Sequence, residues 1–256
     1  MNTLVILIGI LSLAVGPVEP LPEEVIASIQ QMSLSELLEE LKGSDLQRGE
    51  CALKELTRDG LDLNELELLT QLAIKQGGGK HSTMIICHLA GRVGPICETT
   101  ATEEEKAKFD KFVDLLEEEL KKKEEPGRIP FYLGIMGFER IISPKLEGGR
   151  AYRRENRNRR PPVPYGNDRV TDILLTCANH KDWRVRREAV RALGRVGAND
   201  PNRVATIVAF LEAQESKEQA REDFAEPQHK QDVLDRIAGA IRSIEIDLKQ
   251  RPLPHE

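Results

Sequence analysis

One sixteen-residue pattern recurs along this 256-residue chain, and that recurrence limits the fold more than any other feature. Its clearest copy runs from Asp182 to Gly197. The aspartate stands where a carboxylate accepts the unpaired N–H groups of a first helical turn. Val185, Ala189, Val190, Leu193 and Val196 follow as an apolar stripe at helical spacing. Gly197 is expected to end the helix in a left-handed conformation. Moving back 137 residues, Asp45 to Gly60 aligns without a gap: Asp45 with Asp182, Ala52 with Ala189, Leu53 with Val190, Leu56 with Leu193, Gly60 with Gly197. Moving back 103, the run Gly91, Arg92, Val93, Gly94 repeats Gly194, Arg195, Val196, Gly197, with Ile86 and Cys87 in the stripe. Moving back 55, Gly134, Ile135, Phe138, Arg140 and Ile141 fall into the frame, and a weaker copy lies near Ile237 to Ile244.

Each copy has a helical partner before it. The partners read as Leu34 to Leu41, Glu65 to Lys75, Glu103 to Lys122, Arg169 to Ala178 and Pro201 to Gln214. Their apolar residues also recur at three and four, as in Val170, Ile173, Leu174 and Cys177. No stretch alternates polar and apolar for long enough to make a sheet, and aromatics at 4% suit packed helices. One hairpin cannot bury its own stripe, so neighbours must stack. The expected fold is all-α, an α-solenoid of about five stacked helical hairpins.

The run from Val185 to Gly194 resembles the second helix of a HEAT repeat, in the subtype also found in phycobilisome lyases. The likeness is strongest in that copy, weaker in the third and fifth, and covers roughly residues 33–247. It implies a right-handed solenoid whose second helices line the concave surface and which binds other macromolecules. A fold alone does not choose a function.

The ends and interruptions complete the organisation. Leu4 to Val15 is apolar except for Ser12, about the length of a signal-peptide core and short for a bilayer span. Cleavage is expected after Ala14 or Gly16, although no Lys or Arg precedes the run. This places a signal peptide at 1–16 and a proline-containing linker at 17–32, in which Pro17, Pro20 and Pro22 make a stiff, non-helical spacer. Ser143 to Asn167 is a long connection with Pro161, Pro162 and Pro164, and Glu215 to Pro227 is a second polar excursion. A tail follows from 248 to 256.

Carboxylates outnumber basic side chains 43 to 37, giving a net charge of -6, which excludes a generally basic nucleic-acid coat but not a local basic patch. Such a patch is present. Arg150, Arg153, Arg154, Arg157, Arg159 and Arg160 occupy the loop at 144–167, and Arg184, Arg186, Arg187, Arg191 and Arg195 follow on one helix. Guanidinium groups suit bidentate capture of carboxylate or phosphate, and Tyr152, Tyr165 and Trp183 stand near enough in sequence to stack on a ligand. The candidate anionic-partner site is Arg150, Arg153, Arg154, Arg157, Arg159, Arg160, Arg184, Arg187 and Arg191. The bland alternative is a solvated loop, with the helix arginines paired to Glu188 and its neighbours. Arg58, Arg92, Arg140 and Arg195 share one frame position and read as cations stabilising helix C-termini, or else as a row of anchors for an extended ligand.

Cys51, Cys87, Cys97 and Cys177 read as buried thiols, with Cys51 and Cys87 the least implausible disulfide if the chain is exported. His81, Cys87, His88 and Cys97 match no standard zinc spacing. No phosphate loop, nucleophile elbow or zinc-hydrolase histidine pair is present, so neither a cofactor nor catalysis is expected. Residues 19–67 hold thirteen carboxylates against four basic side chains. The leading expectation is a secreted or periplasmic, non-enzymatic scaffold for a protein or polyanionic partner, with self-association open to it and no membrane span after signal removal. The alternatives are a cytoplasmic nucleic-acid-binding HEAT protein and a chromophore-lyase-like protein.

Overall fold

The computed structural model describes residues 20–76, 80–94, 96, 100–122, 129–136, 165–197 and 202–250. These residues are helical apart from short turns, and no strand occurs among them. The chain divides into two units, one ending at Asp59 and one starting at Gly60.

The first unit holds α1 (Glu23–Gln30), α2 (Leu34–Lys42) and α3 (Leu46–Leu56). Helix α1 lies inside the segment expected to be a linker and packs into the apolar cluster of this unit, which corrects that expectation. Pro22 takes the N-cap position with extended backbone, where its missing N–H costs nothing. Val25, Ile29 and Met32 then recur at helical spacing, and they pack with Leu37 and Ala52 in one apolar cluster. Ser33 and Glu36 close α2 with a capping box, the Ser33 N–H donating to Glu36 Oε2 at 2.7 Å. Asp45 caps α3 as the repeat predicts, its Oδ1 accepting from the N–H groups of Gln47 and Arg48 at 2.9 and 3.1 Å. Arg48 reaches back from α3 to Glu40 on α2, Nε to Oε2 at 2.9 Å and Nη2 to Oε1 at 2.6 Å, and this hydrogen bonding holds the Glu40 carboxyl below its ordinary range.

The second unit holds four hairpins: α4 (Leu63–Lys75) with α5 (Lys80–Val93), α6 (Glu103–Lys122) with α7 (Ile129–Met136), α8 (Asn167–Cys177) with α9 (Trp183–Val196), and α10 (Val204–Ala220) with α11 (Pro227–Gln250). Together with α2 and α3 this gives five helical hairpins among the described residues. None of the helices is long and apolar enough to cross a membrane.

The hairpins of the second unit stack in two layers. Second helices pack on one another in series, α5 on α7, α7 on α9 and α9 on α11. The α9–α11 register follows from two contacts: Arg187 Nη1 meets Asp232 Oδ2 at 2.8 Å, and Gly194 lies against Ala240. Seven residues along α9 match eight along α11, so the helices run parallel. Small residues set their spacing. A Cβ on Gly194 would stand 2.7 Å from Cα and Cβ of Ala240, and one on Gly134 would stand 2.6 Å from the Ala192 methyl. Tyr132 ties α7 to α5, its hydroxyl donating to Thr83 Oγ1 at 3.3 Å.

First helices form the other layer, and each successive one carries a cation that reaches back. Lys111 Nζ on α6 meets Glu67 on α4 at 2.7 Å. Arg169 Nη2 on α8 reaches Glu117 at 2.9 Å and also Asp114 on α6. Arg203, capping α10, bonds Asp172 on α8. Further along, Gln214 Nε2 donates to the Ala178 carbonyl at 2.9 Å, so α10 runs parallel to α8.

Two turns depart from expectation. Gly197 is right-handed, at φ -63, and not left-handed. A Cβ there would stand 3.0 Å from Ile207 and 3.3 Å from Ile244, side chains that would have to give by a few tenths of an ångström. Among the described residues the glycines with positive φ are Gly60 and Gly166, and Gly166 precedes α8 where an added Cβ would run into the Phe109 ring. Helix α10 also continues to Ala220, well into the expected polar excursion.

The seam separates two glycines sharply. Gly194→Ala forces a methyl onto the α11 backbone and is expected to destabilise by about 1–3 kcal/mol. Gly239→Ala, where nothing lies within 4 Å, is expected to stabilise by about 0.5–1 kcal/mol. Urea unfolding of both variants checks this, and equal effects would contradict the close packing.

Candidate partner-binding face

Six of the nine arginines expected to receive an anionic partner, Arg150, Arg153, Arg154, Arg157, Arg159 and Arg160, lie outside the described residues. The other three, Arg184, Arg187 and Arg191, are on α9. Its stripe of Val185, Ala189, Val190, Leu193 and Val196 is fully buried, each large side chain contributing about 1.5–3 kcal/mol. Asp182 caps the helix, Oδ1 accepting from the Arg184 N–H at 2.9 Å. With the apolar face turned inward, positions 184, 187, 191 and 195 recur at three and four and share one opposite face.

Their environments differ. Arg184 is exposed, its guanidinium 5.8 Å from the centroid of Trp183. Arg187 is half-buried between two carboxylates: Nε and Nη2 donate to Glu188 Oε1 at 3.0 and 2.7 Å, and Nη1 donates to Asp232 Oδ2 at 2.8 Å. Burial opposes its charge, and the bonds to Asp232 and Glu188 more than offset burial, so its pKa stands above the ordinary value. Arg191 is 38% exposed, with Nη1 3.7 Å from Glu188 Oε2. Arg195, in the last turn, is partly buried. Desolvation first and the neighbouring Arg191 second pull its pKa down, against the attraction of Glu188.

Arg186 does not belong to this surface, a correction to its grouping with the basic face. Its side chain is 1% exposed. Nη1 donates to the carbonyls of His180 and Lys181 at 2.9 and 2.7 Å, and Nη2 donates to Glu218 Oε2 at 3.0 Å. Nε lies 2.8 Å from Glu218 Oε1 but off the hydrogen-bonding direction. Glu218, fully buried, also accepts from Gln214 Nε2 at 2.9 Å. This node joins the α8–α9 turn to α10. The phase of Val204, Ile207, Leu211, Gln214 and Glu218 carries the signal for it, since spacings of three and four bring Glu218 into the buried row.

The aromatic residues expected to stack on a ligand are engaged internally. Trp183 stacks on His229 of α11, ring centroids 4.2 Å apart and planes at 17°. Arg187 lies 5.4 Å from the same indole centroid. Tyr165 meets Phe109 edge-on at 5.4 Å, donates its hydroxyl to Asp110 Oδ2 at 2.7 Å and carries Lys106 over its ring. Tyr152 lies outside the described residues.

Of the shared-frame arginines, Arg92 and Arg195 do stand in last helical turns, Arg58 pairs with Glu55 at 2.7 Å just beyond α3, and Arg140 lies outside the described residues. No disulfide joins Cys51, Cys87 and Cys177 to one another, and Cys97 lies outside the described residues. Burial pushes the Cys177 thiol up to about 12, so it carries no thiolate at neutral pH. Comparison with family models, curated proteins and solved structures gives no match for the chain. The reading of this face therefore rests on its own geometry.

The buried node makes a sharp prediction. Glu218→Ala strands the Arg186 charge in the interior and is expected to cost about 3–5 kcal/mol. The double change Arg186→Met, Glu218→Leu removes both charges and is expected to cost less than either single change. Denaturant unfolding of the three variants decides it, and additive losses would show that the pair is not coupled.

Proposed function

We propose that the chain is an exported, non-enzymatic scaffold of HEAT-like hairpins that binds an acidic segment of another protein through the arginine face of α9. The observation that carries this is the arrangement of α9 itself: one face buried, the opposite face presenting Arg184, Arg191 and Arg195 with Glu188 as the one carboxylate of that helix. Arginine suits carboxylate recognition, because its planar fork forms paired, charge-assisted hydrogen bonds. The arginines at 150–160 precede the same hairpin and extend the basic character along the chain.

Engagement of Trp183 and Tyr165 favours a protein over nucleic acid. Single-strand binders present aromatic faces on which bases stack. Here both rings are packed against partners of the same chain. Export is supported by the apolar run at Leu4 to Val15 with small residues behind it.

Two measurements test the proposal. The immobilised chain should retain acidic proteins from its native source and release them near 1 M salt, where exposed charges are screened beyond about 3 Å. Arg184→Glu with Arg191→Glu should abolish retention, and undiminished retention would remove α9 from the interface. Sequencing the mature protein should give an N-terminus after Ala14 or Gly16, whereas a cytoplasmic chain starting at Met1 would end the export reading.

A further inference from the structure

Helix α3 ends at Leu56 and α4 begins at Leu63, and the bond from Asp59 to Gly60, where one unit gives way to the other, lies in the turn between them. Gly60 stands at φ 124, a conformation that L side chains rarely adopt, and nothing lies within 4 Å of where its Cβ would be. The turn therefore asks for glycine on conformational grounds and leaves open space around it. That requirement sets Asp59 directly before a glycine, an arrangement that no other aspartate or asparagine of the sequence shares. The Asp59 side chain is 92% exposed. Its Oδ1 lies 3.7 Å from Arg58 Nε, longer than a charge-assisted hydrogen bond, and the Arg58 guanidinium meets Glu55 at 2.7 Å. The capping aspartates are placed otherwise. Asp45 Oδ1 accepts from the N–H groups of Gln47 and Arg48, Asp62 Oδ1 from that of Glu65 at 2.8 Å, and Asp182 Oδ1 from that of Arg184. Each is followed by a bulky residue that opens a helix: Leu46, Leu63 and Trp183.

We infer that Asp59 is a site of spontaneous covalent modification, where its side chain condenses with the Gly60 amide to a succinimide that water reopens in part to an isoaspartyl link. The Gly60 nitrogen attacks Asp59 Cγ, the new C–N bond closes the ring, and the amide proton leaves with the carboxyl hydroxyl as water. Water then adds to either ring carbonyl. Addition at Cγ restores aspartate. Addition at the main-chain carbonyl leaves the chain running through Cβ and Cγ, longer by a methylene at the bond between the units. Ring closure needs an unobstructed approach to the nitrogen of the next residue. Glycine obstructs it least, and the open surroundings of Gly60 let the turn move into the reacting geometry. At the capping aspartates the carboxylate is held by backbone N–H groups, and the nitrogen that would attack belongs to a residue with a large side chain fixed in a helix. The inference is independent of what the scaffold binds.

Prolonged incubation of the folded full chain in warm, mildly acidic buffer, followed by peptide mapping with mass spectrometry, tests this. A synthetic peptide of residues 55–64 is incubated beside it as the unrestrained reference. The fragment that contains Asp59 is expected to yield a form lighter by a water molecule, then a form of unchanged mass and altered retention that an aspartate-specific protease no longer cuts at residue 59. Asp59→Glu, whose longer side chain would need a larger and slower-closing ring, is expected to lose both forms. Asp59→Asn passes through the same ring with loss of ammonia in place of water, and is expected to convert faster than the native residue. Conversion of the reference peptide with none in the full chain would show that the fold holds the pair apart, and would overturn the inference. An Asp59→Asn chain that stays unconverted would do the same. Equal conversion at Asp45 or Asp182 would also overturn it, because the turn would then confer no selectivity.

Discussion

A pair of short helices exposes as much apolar surface as it hides. Every hairpin of the second unit therefore depends on the next for its core, and the sideways stack is the consequence. The two layers meet this demand by different means. Second helices come close because glycine and alanine face each other, Gly134 with Ala192 and Gly194 with Ala240. The succession of first helices is marked by Lys111, Arg169 and Arg203, each bonded to acids of the first helix before it. Exposed pairs of this kind contribute little singly, about 0–1 kcal/mol. Arg169 gathers several acids at once, which makes it a local network and not an isolated pair.

The Arg186–Glu218 node illustrates a different constraint. Burying two charges costs several kcal/mol per ion unless geometry and further hydrogen bonds compensate. Here two backbone carbonyls, Gln214 and both carboxylate oxygens take part. The carbonyls belong to the turn between α8 and α9, so the pair fixes where α10 must pass. A slip of α10 by one residue would leave both ions uncompensated. Its role is register more than adhesion.

Much of the second unit was legible because its periodic stripes are unambiguous. Asp182, like Asp45 in the first unit, caps the helix that the repeat frame assigns it, and helices occur at the paired stripes within the described residues, with Phe138, Arg140 and Ile141 of the third copy lying outside them. The failures have identifiable causes. Prolines at 17, 20 and 22 masked a helix that begins directly after the last of them, because a proline is harmless at a helix start. Gly197 reads as a left-handed stop, yet its backbone stays right-handed as it follows the last residue of α9. Arg186, grouped with the basic face, and Glu218, inside the stretch expected to be a polar excursion, are buried for one reason: single-residue polarity says outside, while the phase of the helix says inside. The partner-binding face was legible only by halves. Arg184 and Arg191 follow from α9 alone, whereas Asp232 and Arg236 enter through a helix more than forty residues away whose register no local pattern reveals.

The unlike chemistry of the two layers also has a mechanical meaning. Successive first helices add to their buried apolar rows a set of ion contacts that dissolved salt weakens, whereas the close approaches at Gly134 and Gly194 are carbon to carbon, which salt leaves alone. Ionic strength therefore bears unequally on the two faces of the stack.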